Sequence, residues 1–272
     1  MNVGERSRGS SRLAVVGHPV DHSRSPAMQN AALADLGLAP EWSYEAIDVD
    51  PDEFDAKVRG LPDHGFVGVN VTVPHKEAAL RLATEAGEAA REIGAANTLI
   101  FEHGSVRAEN TDAPGLLDAV GSVGAGTPAL VLGAGGAARA VLWALAGAGC
   151  EVSVWNRTAA RAEAMTAELG GECVDAPRGA DFDLVVNASA AGLGGTGAMD
   201  ELPLDRADFR PGQKVVDMVY GDEPSTLLEA AGRAGAETID GLEILVRQGA
   251  RSLEIWTGRK PSLEVMRFAA RG

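Results

Sequence analysis

The stretch ALVLGAGGAAR, residues 129–139, decides how this chain of 272 residues folds. A short apolar run from Ala129 to Leu132 leads into a glycine-rich turn, and a helical pattern follows. Small residues let a phosphate group approach the backbone, and the free N–H groups at a helix N-terminus favour an anion. This order makes the turn a candidate dinucleotide-binding loop, although a tight turn with a purely structural role is the alternative. The candidate cofactor-binding residues of the loop are Gly133, Ala134, Gly135, Gly136 and Ala137.

The next predicted strand decides which dinucleotide the loop accepts. An NAD site places an acidic residue at the end of that strand to bind the ribose hydroxyls, whereas an NADP site needs positive charge there. This chain has Asn156, Arg157 and Thr158 at the strand end, and Arg161 one helical step beyond. Both arginines can pair with a 2′-phosphate, and Thr158 can donate to it or cap the next helix. The pattern favours NADP; two surface arginines beside a plain N-cap are the alternative.

Strands and helices alternate along the rest of the chain. In the second half the predicted strands are 129–132, 151–156, 183–187 and 214–219, and the predicted helices are 136–148 and 159–169. Such βαβ alternation implies a parallel sheet covered by helices. In the first part we predict strands at 12–17, 42–48 and 65–73, a helix capped by Ser25, and a hairpin around His103 and Gly104.

We therefore expect an α/β protein of two domains. The first would span residues 1–112 and the second residues 113–241. The final amphipathic helices, residues 242–272, follow a glycine hinge at Gly241, and we expect them to pack back on the first domain and complete it.

Composition excludes several kinds of partner and site. The net charge of −15 argues against a nucleic-acid partner and an anionic membrane surface, because both need a basic face. The longest apolar stretch, Pro128 to Cys150, contains Arg139 and many glycines, so we expect no membrane span. The polar segment Met1–Arg8 lacks the apolar core of a signal peptide. Cys150 and Cys173 lack metal-site spacing and suit a reducing compartment, so we predict a cytoplasmic protein without a bound metal.

A second motif, NVTVPHK at residues 70–76, points to chemistry. Only four of the 24 basic residues are lysines, and Lys76 ends this motif. Alternation along a strand sends Asn70 and Thr72 to the same face, and Pro74 then forces the chain out of the sheet. Amide, hydroxyl and ammonium could therefore converge on one ligand. A solvated lysine at the start of a helix is the alternative.

Seven motifs together resemble the shikimate dehydrogenase family. They occur in the family's order over nearly the whole chain: SRSP at 23–26, NVTVPHK at 70–76, IGAANT at 93–98, NTD at 110–112, the glycine loop at 133–139, NRT at 156–158 and the segment 241–248. The resemblance implies an NADP-dependent, reversible reduction of 3-dehydroshikimate to shikimate in aromatic amino-acid biosynthesis, on the way to chorismate. It also implies an N-terminal substrate-binding domain, a Rossmann-like NADP-binding domain and C-terminal helices that return to the first domain.

The resemblance assigns roles to residues at matching positions. Ser23 and Ser25 would bind the substrate carboxylate, which suits two hydroxyl donors beside a helix N-terminus. The other substrate-binding residues that it implies are Asn70, Thr72, Asn97, Tyr220 and Gln248. Met218 and Gly241 would lie near the nicotinamide. For each of these residues an ordinary turn, cap or core role is the alternative.

Lys76 and Asp112 would form the catalytic pair. Reducing a ketone builds negative charge on its oxygen as hydride arrives, so a nearby ammonium can stabilise that charge and donate the proton. Lys76 would be the general acid in reduction and the general base in oxidation. Asp112 would orient both the lysine and the substrate, and capping the next helix is its competing role.

Some residues depart from the family's usual pattern and leave the substrate range open. Gln29 precedes Asn30 where a His-Asn pair is common, Ala108 replaces a frequent glycine, and Asp222 stands where a proline is usual. Quinate or aminoshikimate dehydrogenase activity is therefore an alternative, and a catalytically silent NADP-binding regulatory protein on the same fold is another. The sequence leaves the oligomeric state open between monomer and homodimer.

Overall fold

A computed structural model of the protein describes residues 10–193 and 197–272. The chain forms two compact units. The first comprises the chain up to Ala90 together with Ala96–Glu109 and Gly249–Gly272, and the second comprises Arg91–Ala95 and Asn110–Gln248. The last boundary falls within a helix that begins at Gly241, whereas the sequence prediction places it at Gly241 itself.

Residues 10–109 contain six strands and four α-helices. They are β1 (Ser11–Gly17), α1 (Ser25–Asp35), β2 (Trp42–Asp48), α2 (Phe54–Gly60), β3 (Phe66–Val71), α3 (Lys76–Leu82), β4 (Glu85–Ala86), α4 (Glu88–Ile93), β5 (Thr98–Glu102) and β6 (Ser105–Glu109). The six strands form one mixed sheet in the order β2-β1-β3-β5-β6-β4. β1 pairs in parallel with β2 and β3, and the predicted hairpin is the antiparallel pair of β5 and β6.

Residues 110–272 hold the second sheet and the C-terminal helices. The elements are α5 (Asp112–Val120), β7 (Pro128–Leu132), α6 (Gly136–Gly147), β8 (Glu151–Trp155), α7 (Ala159–Leu169), β9 (Glu172–Cys173), β10 (Leu184–Asn187), α8 (Ala198–Glu201), β11 (Lys214–Asp217), α9 (Thr226–Arg233), β12 (Glu237–Ile239), α10 (Gly241–Thr257) and α11 (Leu263–Arg271). Among the residues that the structure describes, no helix is both long enough and apolar enough to cross a membrane.

The second sheet is parallel throughout, in the order β12-β11-β10-β7-β8-β9. Chain order therefore reverses between β7 and β10, which is the arrangement of a doubly wound dinucleotide-binding fold. Ligands bind such sheets outside the carboxyl ends of the strands at the point of reversal. The fold class predicted from the sequence is confirmed.

Strand β3 is shorter than the predicted strand 65–73. Beyond Val71 the backbone keeps one bond to β1, from Thr72 N to Val16 O at 2.9 Å, and His75 N then donates to Thr72 O at 2.9 Å. This turn replaces the last two residues of the predicted strand. Pro74 has no N–H to donate to a ladder, which is why the pairing cannot continue.

The C-terminal helices pack on the first sheet, as expected. Trp256 of α10 donates from Nε1 to Leu99 O at 3.0 Å, and its indole lies over Gly68 of β3. Its ring also faces Tyr44 of β2, with ring centroids 6.3 Å apart. Gln29 of α1 donates from Nε2 to Gly249 O at 3.0 Å. The end of the chain therefore completes the core of the first unit.

Replacing Gly68 tests this packing. A methyl group there would collide with the Trp256 indole and lie 2.7 Å from Leu99 O. We expect Gly68→Ala to lower the free energy of unfolding by about 1–3 kcal/mol, because the indole must move. Gly60→Ala is the matched control, since nothing lies within 4 Å of a Cβ at that position at the end of α2. Urea unfolding measures both; equal stability of the two variants would contradict the packing.

Candidate active site

Asn70 is the centre of a buried hydrogen-bond network in the first unit. Its Oδ1 accepts a bond from Tyr44 Oη at 2.8 Å, and its Nδ2 donates to Asn97 O at 3.1 Å and to Ser252 Oγ at 2.9 Å. The residue is 5% exposed. Because both amide hydrogens have partners, Asn70 can offer a ligand only the second lone pair of Oδ1. Asn70 therefore has a structural role in addition to the binding role that we predict.

Thr98 and Ser252 complete this network and are absent from the predicted site. Their hydroxyl oxygens lie 2.8 Å apart, and Thr98 Oγ1 donates to Asn97 Oδ1 at 3.1 Å. Thr98 directly follows Asn97 in the IGAANT motif, so its position was a usable signal. Nothing in the sequence links Ser252 to Asn70, which lies 182 positions away.

Lys76 is the first residue of α3, and its backbone is fixed from two sides. Its carbonyl accepts a bond from Ala96 N at 2.9 Å. The preceding residue, His75, is buried, donates from Nε2 to Val49 O at 2.7 Å and stacks on Phe54 with ring centroids 4.5 Å apart. Burial lowers the pKa of His75 and outweighs the bond to Val49 O, which raises it, so the imidazole stays neutral at pH 7. The half-buried Lys76 side chain is thus attached to a backbone that is held in place.

The loop before α1 carries the two serines predicted to bind a carboxylate. The expectation that Ser25 caps α1 is wrong, because the helix begins at Ser25 itself and Arg24 occupies the N-cap position. Instead, Ser23 Oγ accepts a bond from Ser25 N at 3.3 Å. Pro26, which lacks an N–H and prefers helical φ, fits the first turn and shifts the helix start towards Ser25. The two serines therefore lie together at the N-terminus of an 11-residue helix.

The side chain of Asn110, which precedes the N-cap residue Thr111, caps the first N–H groups of α5. The helix begins at Asp112, and Asn110 Oδ1 accepts bonds from Asp112 N at 3.1 Å and Ala113 N at 3.2 Å. The alternative role of Asp112 as the cap of this helix is not seen, because the amide two residues earlier bonds these N–H groups. Asn110 also donates from Nδ2 to Ala95 O at 2.9 Å. The buried Asp112 carboxylate lies in the first helical turn, where the helix dipole favours a negative charge.

Gln248 lies beside the same helix in the second unit. Thr111 Oγ1 donates to Gln248 Oε1 at 3.5 Å, and Gln248 Nε2 donates to Leu245 O at 2.8 Å. A Cβ on Gly115 of α5 would lie 2.9 Å from Gln248 N, so that glycine allows α5 and α10 to approach closely. The structure therefore places Gln248 next to the Thr111-Asp112 turn. Neither Thr111 nor Gly115 was predicted as a site residue.

The glycine loop lies at the reversal point of the second sheet. Gly133 has a φ of 122°, which favours glycine, and a Cβ there would lie 2.9 Å from Ala188 O at the end of β10. Gly135 is the N-cap of α6, and nothing lies within 4 Å of a Cβ built on it. This open space beside the helix N-terminus fits the approach of a pyrophosphate. The loop residues Gly133 to Ala137 therefore could hold a dinucleotide.

The residues predicted to bind a 2′-phosphate follow β8 at the same edge of the sheet. Asn156 Nδ2 donates to Thr158 O at 2.9 Å, which fixes the turn into α7. Thr158 occupies the N-cap position of α7 without a side-chain capping bond, so its hydroxyl can serve a ligand. Arg157 and Arg161 are exposed, and within the described ranges neither guanidinium pairs with a carboxylate. In a chain of net charge −15, these two arginines concentrate positive charge at this strand end.

Met218 and Gly241 lie against each other in the second unit. Met218 directly follows β11 and donates from N to Asn187 O at 2.9 Å. A Cβ on Gly241 would lie 2.5 Å from Met218 O, so only glycine fits there. Tyr220 is two residues further along the same loop and is half-buried. The segment that begins at Met218 thus contacts the start of the segment 241–248.

Asp217, at the end of β11, is a fully buried carboxylate that the predicted site does not include. It accepts bonds from Ser225 Oγ at 2.5 Å, Asn187 Nδ2 at 2.9 Å and Val219 N at 3.1 Å. Burial raises the pKa of Asp217, while the bonds from Ser225, Val219 and Asn187 lower it. The detectable signal was an acidic residue at the carboxyl end of a strand, directly after Val215 and Val216. For metals, the described residues include no group of three or more His, Cys, Asp or Glu placed to hold an ion.

Asn110 and Asp112 can be separated by their effects on stability. We expect Asn110→Ala to lower the free energy of unfolding by about 1–2 kcal/mol, because it removes the cap of α5. Asp112→Asn keeps the shape of the side chain and leaves the cap in place, so it should lower stability less. Thermal unfolding of the two variants side by side measures the difference. A loss in Asp112→Asn as large as that in Asn110→Ala would restore a capping role for Asp112.

Comparisons with known proteins agree with this geometry. The model of the shikimate dehydrogenase substrate binding domain matches residues 15–99, the shikimate / quinate 5-dehydrogenase model matches 120–199, and the shikimate 5'-dehydrogenase C-terminal domain model matches 241–271. A curated relative, the shikimate dehydrogenase (NADP(+)) of Methanopyrus kandleri, is 42% identical over 277 residues, with 94% of this chain and 93% of the relative covered.

Two solved structures extend the comparison. Shikimate 5-dehydrogenase from Thermus thermophilus, in complex with NADP(H) and shikimate, has a TM-score of 0.87 and 42% identity, with 96% of this chain and 98% of that chain covered. The ligand-free 5-ketofructose reductase of a Gluconobacter species has a TM-score of 0.83 and 32% identity, with 98% and 99% covered. From the family models and the extent of these matches, the chain belongs to the shikimate dehydrogenase family.

Proposed function

We propose that this protein catalyses the NADP-dependent, reversible reduction of 3-dehydroshikimate to shikimate. The observation that carries the proposal is Lys76, which stands at the end of the NVTVPHK motif on a backbone held by Ala96 and by the buried ring of His75. A lysine ammonium carried by a fixed backbone suits a reaction that ends with a proton on a ketone oxygen. Membership of the family and the NADP named for its relative support the same reaction.

In this proposal Lys76 is the proton donor. When bound, NADPH would supply a hydride to the carbonyl carbon, and the oxygen would then need a proton to become the hydroxyl. As negative charge develops on the oxygen, the Lys76 ammonium stabilises it and transfers one proton to it. In the reverse direction the neutral amine takes that proton back. In the same proposal, Asp112 orients the lysine and the substrate.

The remaining polar residues would hold the substrate. Ser23 and Ser25, beside the N-terminus of α1, suit the carboxylate because hydroxyl donors and free helix N–H groups all favour an anion. The groups proposed to bind the ring hydroxyls are Asn70, Thr72, Asn97, Tyr220 and Gln248. Asn70 would act through the remaining lone pair of Oδ1, since its hydrogens are used inside the protein.

The cofactor residues are proposed along one edge of the second sheet. Gly133 to Ala137 would hold the pyrophosphate at the N-terminus of α6, and the group Asn156, Arg157, Thr158 and Arg161 would hold the 2′-phosphate. Arginine suits that phosphate because its guanidinium can donate two parallel bonds. Met218 and Gly241 would lie at the nicotinamide. We also propose that the enzyme is cytoplasmic, that it is active as a monomer or homodimer, and that its ligands are small molecules.

An absorbance assay of NADPH formation tests this function. The purified protein is given NADP and, in separate reactions, shikimate, quinate and aminoshikimate. We expect turnover with shikimate at the highest kcat/KM of the three. A second candidate, quinate, is kept because the family model that matches residues 120–199 names both substrates. Preference for quinate or aminoshikimate would replace the proposed substrate, and NADPH binding without turnover of any of them would indicate a silent protein.

Removing the Lys76 ammonium should abolish most of the rate. We expect Lys76→Ala to lower kcat by about 10²- to 10⁴-fold, the usual worth of a general acid, while shikimate still binds. Steady-state kinetics and calorimetric binding measure the two effects. Lys260→Ala is the matched control, because Lys260 is exposed and lies outside the proposed site. Normal turnover in Lys76→Ala would reject the role of Lys76.

The arginines at the end of β8 should select NADP. We expect Arg157→Ala and Arg161→Ala each to raise the KM for NADP about tenfold, because each loses a charge-assisted bond to the 2′-phosphate. The KM for NAD, which lacks that phosphate, should stay the same. Arg233→Ala, an exposed arginine paired with Glu229 in the same unit, is the control. An equal rise in KM for both cofactors would show that the arginines do not read the phosphate.

A further inference from the structure

The buried carboxylate of Asp217 closes a loop at the end of β11. Ser225, the N-cap of α9, donates from Oγ to Asp217 Oδ2 at 2.5 Å and accepts a bond from Leu228 N at 3.3 Å. Val219 N donates to Asp217 Oδ1 at 3.1 Å. The segment 218–225, which carries Met218 and Tyr220, is thus tied at its base to the end of the strand. One side chain holds both ends of this segment in place.

Through Asn187 the same carboxylate holds a second loop. Asn187 lies directly opposite Asp217 in the register of β10 and β11, and its Nδ2 donates to Asp217 Oδ1 at 2.9 Å. Asn187 Oδ1 accepts bonds from Ser189 N at 3.1 Å and Ser189 Oγ at 2.6 Å, and Asn187 Nδ2 also donates to Ala191 O at 3.3 Å. Asn187 is fully buried as well. The loop 188–192 therefore depends on the orientation of one amide that Asp217 fixes.

Both loops press against glycines of the proposed cofactor site. A Cβ on Gly133 would lie 2.9 Å from Ala188 O, and a Cβ on Gly241 would lie 2.5 Å from Met218 O. Backbone groups that pack this closely cannot shift without moving their neighbours. The position of Ala188 is therefore fixed against Gly133, and that of Met218 against Gly241.

We propose that Asp217 is a positioning residue for the nicotinamide half of the cofactor site, acting through Asn187 and Ser225 on the loops 188–192 and 218–225. The inference rests on the proposed function, because the nicotinamide would lie beside Met218 and Gly241. A buried carboxylate that accepts hydrogen bonds from three donors fixes the positions of all three donor groups, which an apolar side chain cannot do. A displacement of about 1 Å in a group that orients the reacting ring can cost up to about a hundredfold in rate.

Binding of the two halves of the cofactor can be measured separately. Asp217→Ala is compared with the wild type for binding of NADPH and of 2′,5′-ADP, which carries the adenine half with its phosphate and lacks the nicotinamide. We expect 2′,5′-ADP to bind as in the wild type, NADPH to bind about tenfold more weakly and kcat to fall by about tenfold to a hundredfold. The KM for shikimate should change less than kcat.

A conservative variant and a matched control show whether the effect is specific. Asp217→Asn should recover most of kcat, because the oxygen of the introduced amide can still accept from Asn187 and Val219 while the Ser225 hydroxyl turns to accept from the amide nitrogen. Gln213→Ala is the control at the opposite end of β11. Gln213 is also fully buried and donates to Gly179 O at 2.7 Å and Phe182 O at 2.9 Å, so its loss should lower stability but not NADPH binding.

Two results would overturn the positioning role of Asp217. One is an equal loss of NADPH and 2′,5′-ADP binding in soluble, folded Asp217→Ala, and the other is a fall in kcat in Gln213→Ala as large as that in Asp217→Ala. If Asp217→Ala does not fold, Ser225→Ala, which removes one of the three bonds, takes its place with the same expected contrast. Absence of shikimate turnover in the wild type would reject the proposed function, while the contrast between NADPH and 2′,5′-ADP binding would still test Asp217.

Discussion

The register of the second sheet is the constraint on which the rest of the site depends. The sheet is parallel at β7, β8, β10 and β11. Leu132 at the end of β7 is paired with Trp155 of β8 on one side and with Asn187 of β10 on the other. Asn187 is in turn paired with Asp217 of β11. Almost every segment proposed to touch the cofactor leaves the sheet directly after one of these four residues. The carboxyl ends of parallel strands lie at one edge of a sheet, so the glycine loop, the arginine pair and the Met218 segment share that edge.

The core of the first unit contains buried polar side chains. Asn70, Thr98 and Ser252 are buried, and each is bonded to another member of the group, so their burial is compensated by hydrogen bonds. This network ties β3 and β5 to α10, and the Trp256 bond to Leu99 does the same a turn later along the helix. Helix α10 therefore helps to hold the start of the NVTVPHK motif in place.

Much of this arrangement could be predicted from the sequence, and the failures have physical causes. Strong periodicity and glycine placement were enough for β2, α7 and the strand, turn and helix order at Gly133, because local patterns determine those elements. The cap of α1 was assigned to Ser25, one residue too late, and the capping role that was the alternative for Asp112 falls to Asn110, since several nearby polar residues compete for the same N–H groups. Contacts such as Asn70 with Ser252 depend on tertiary packing, which no local pattern records. The roles of the individual site residues stay predictions.

The central claim is that two ligands, shikimate and NADP, are held by the residues named for them. A crystal structure of the protein grown with both ligands tests it most directly. We expect the shikimate carboxylate within hydrogen-bond distance of the Ser23 and Ser25 hydroxyls, and the 2′-phosphate of NADP within hydrogen-bond distance of Arg157 or Arg161. Ligand density that places the carboxylate away from both serines, or the phosphate away from both arginines, would contradict it.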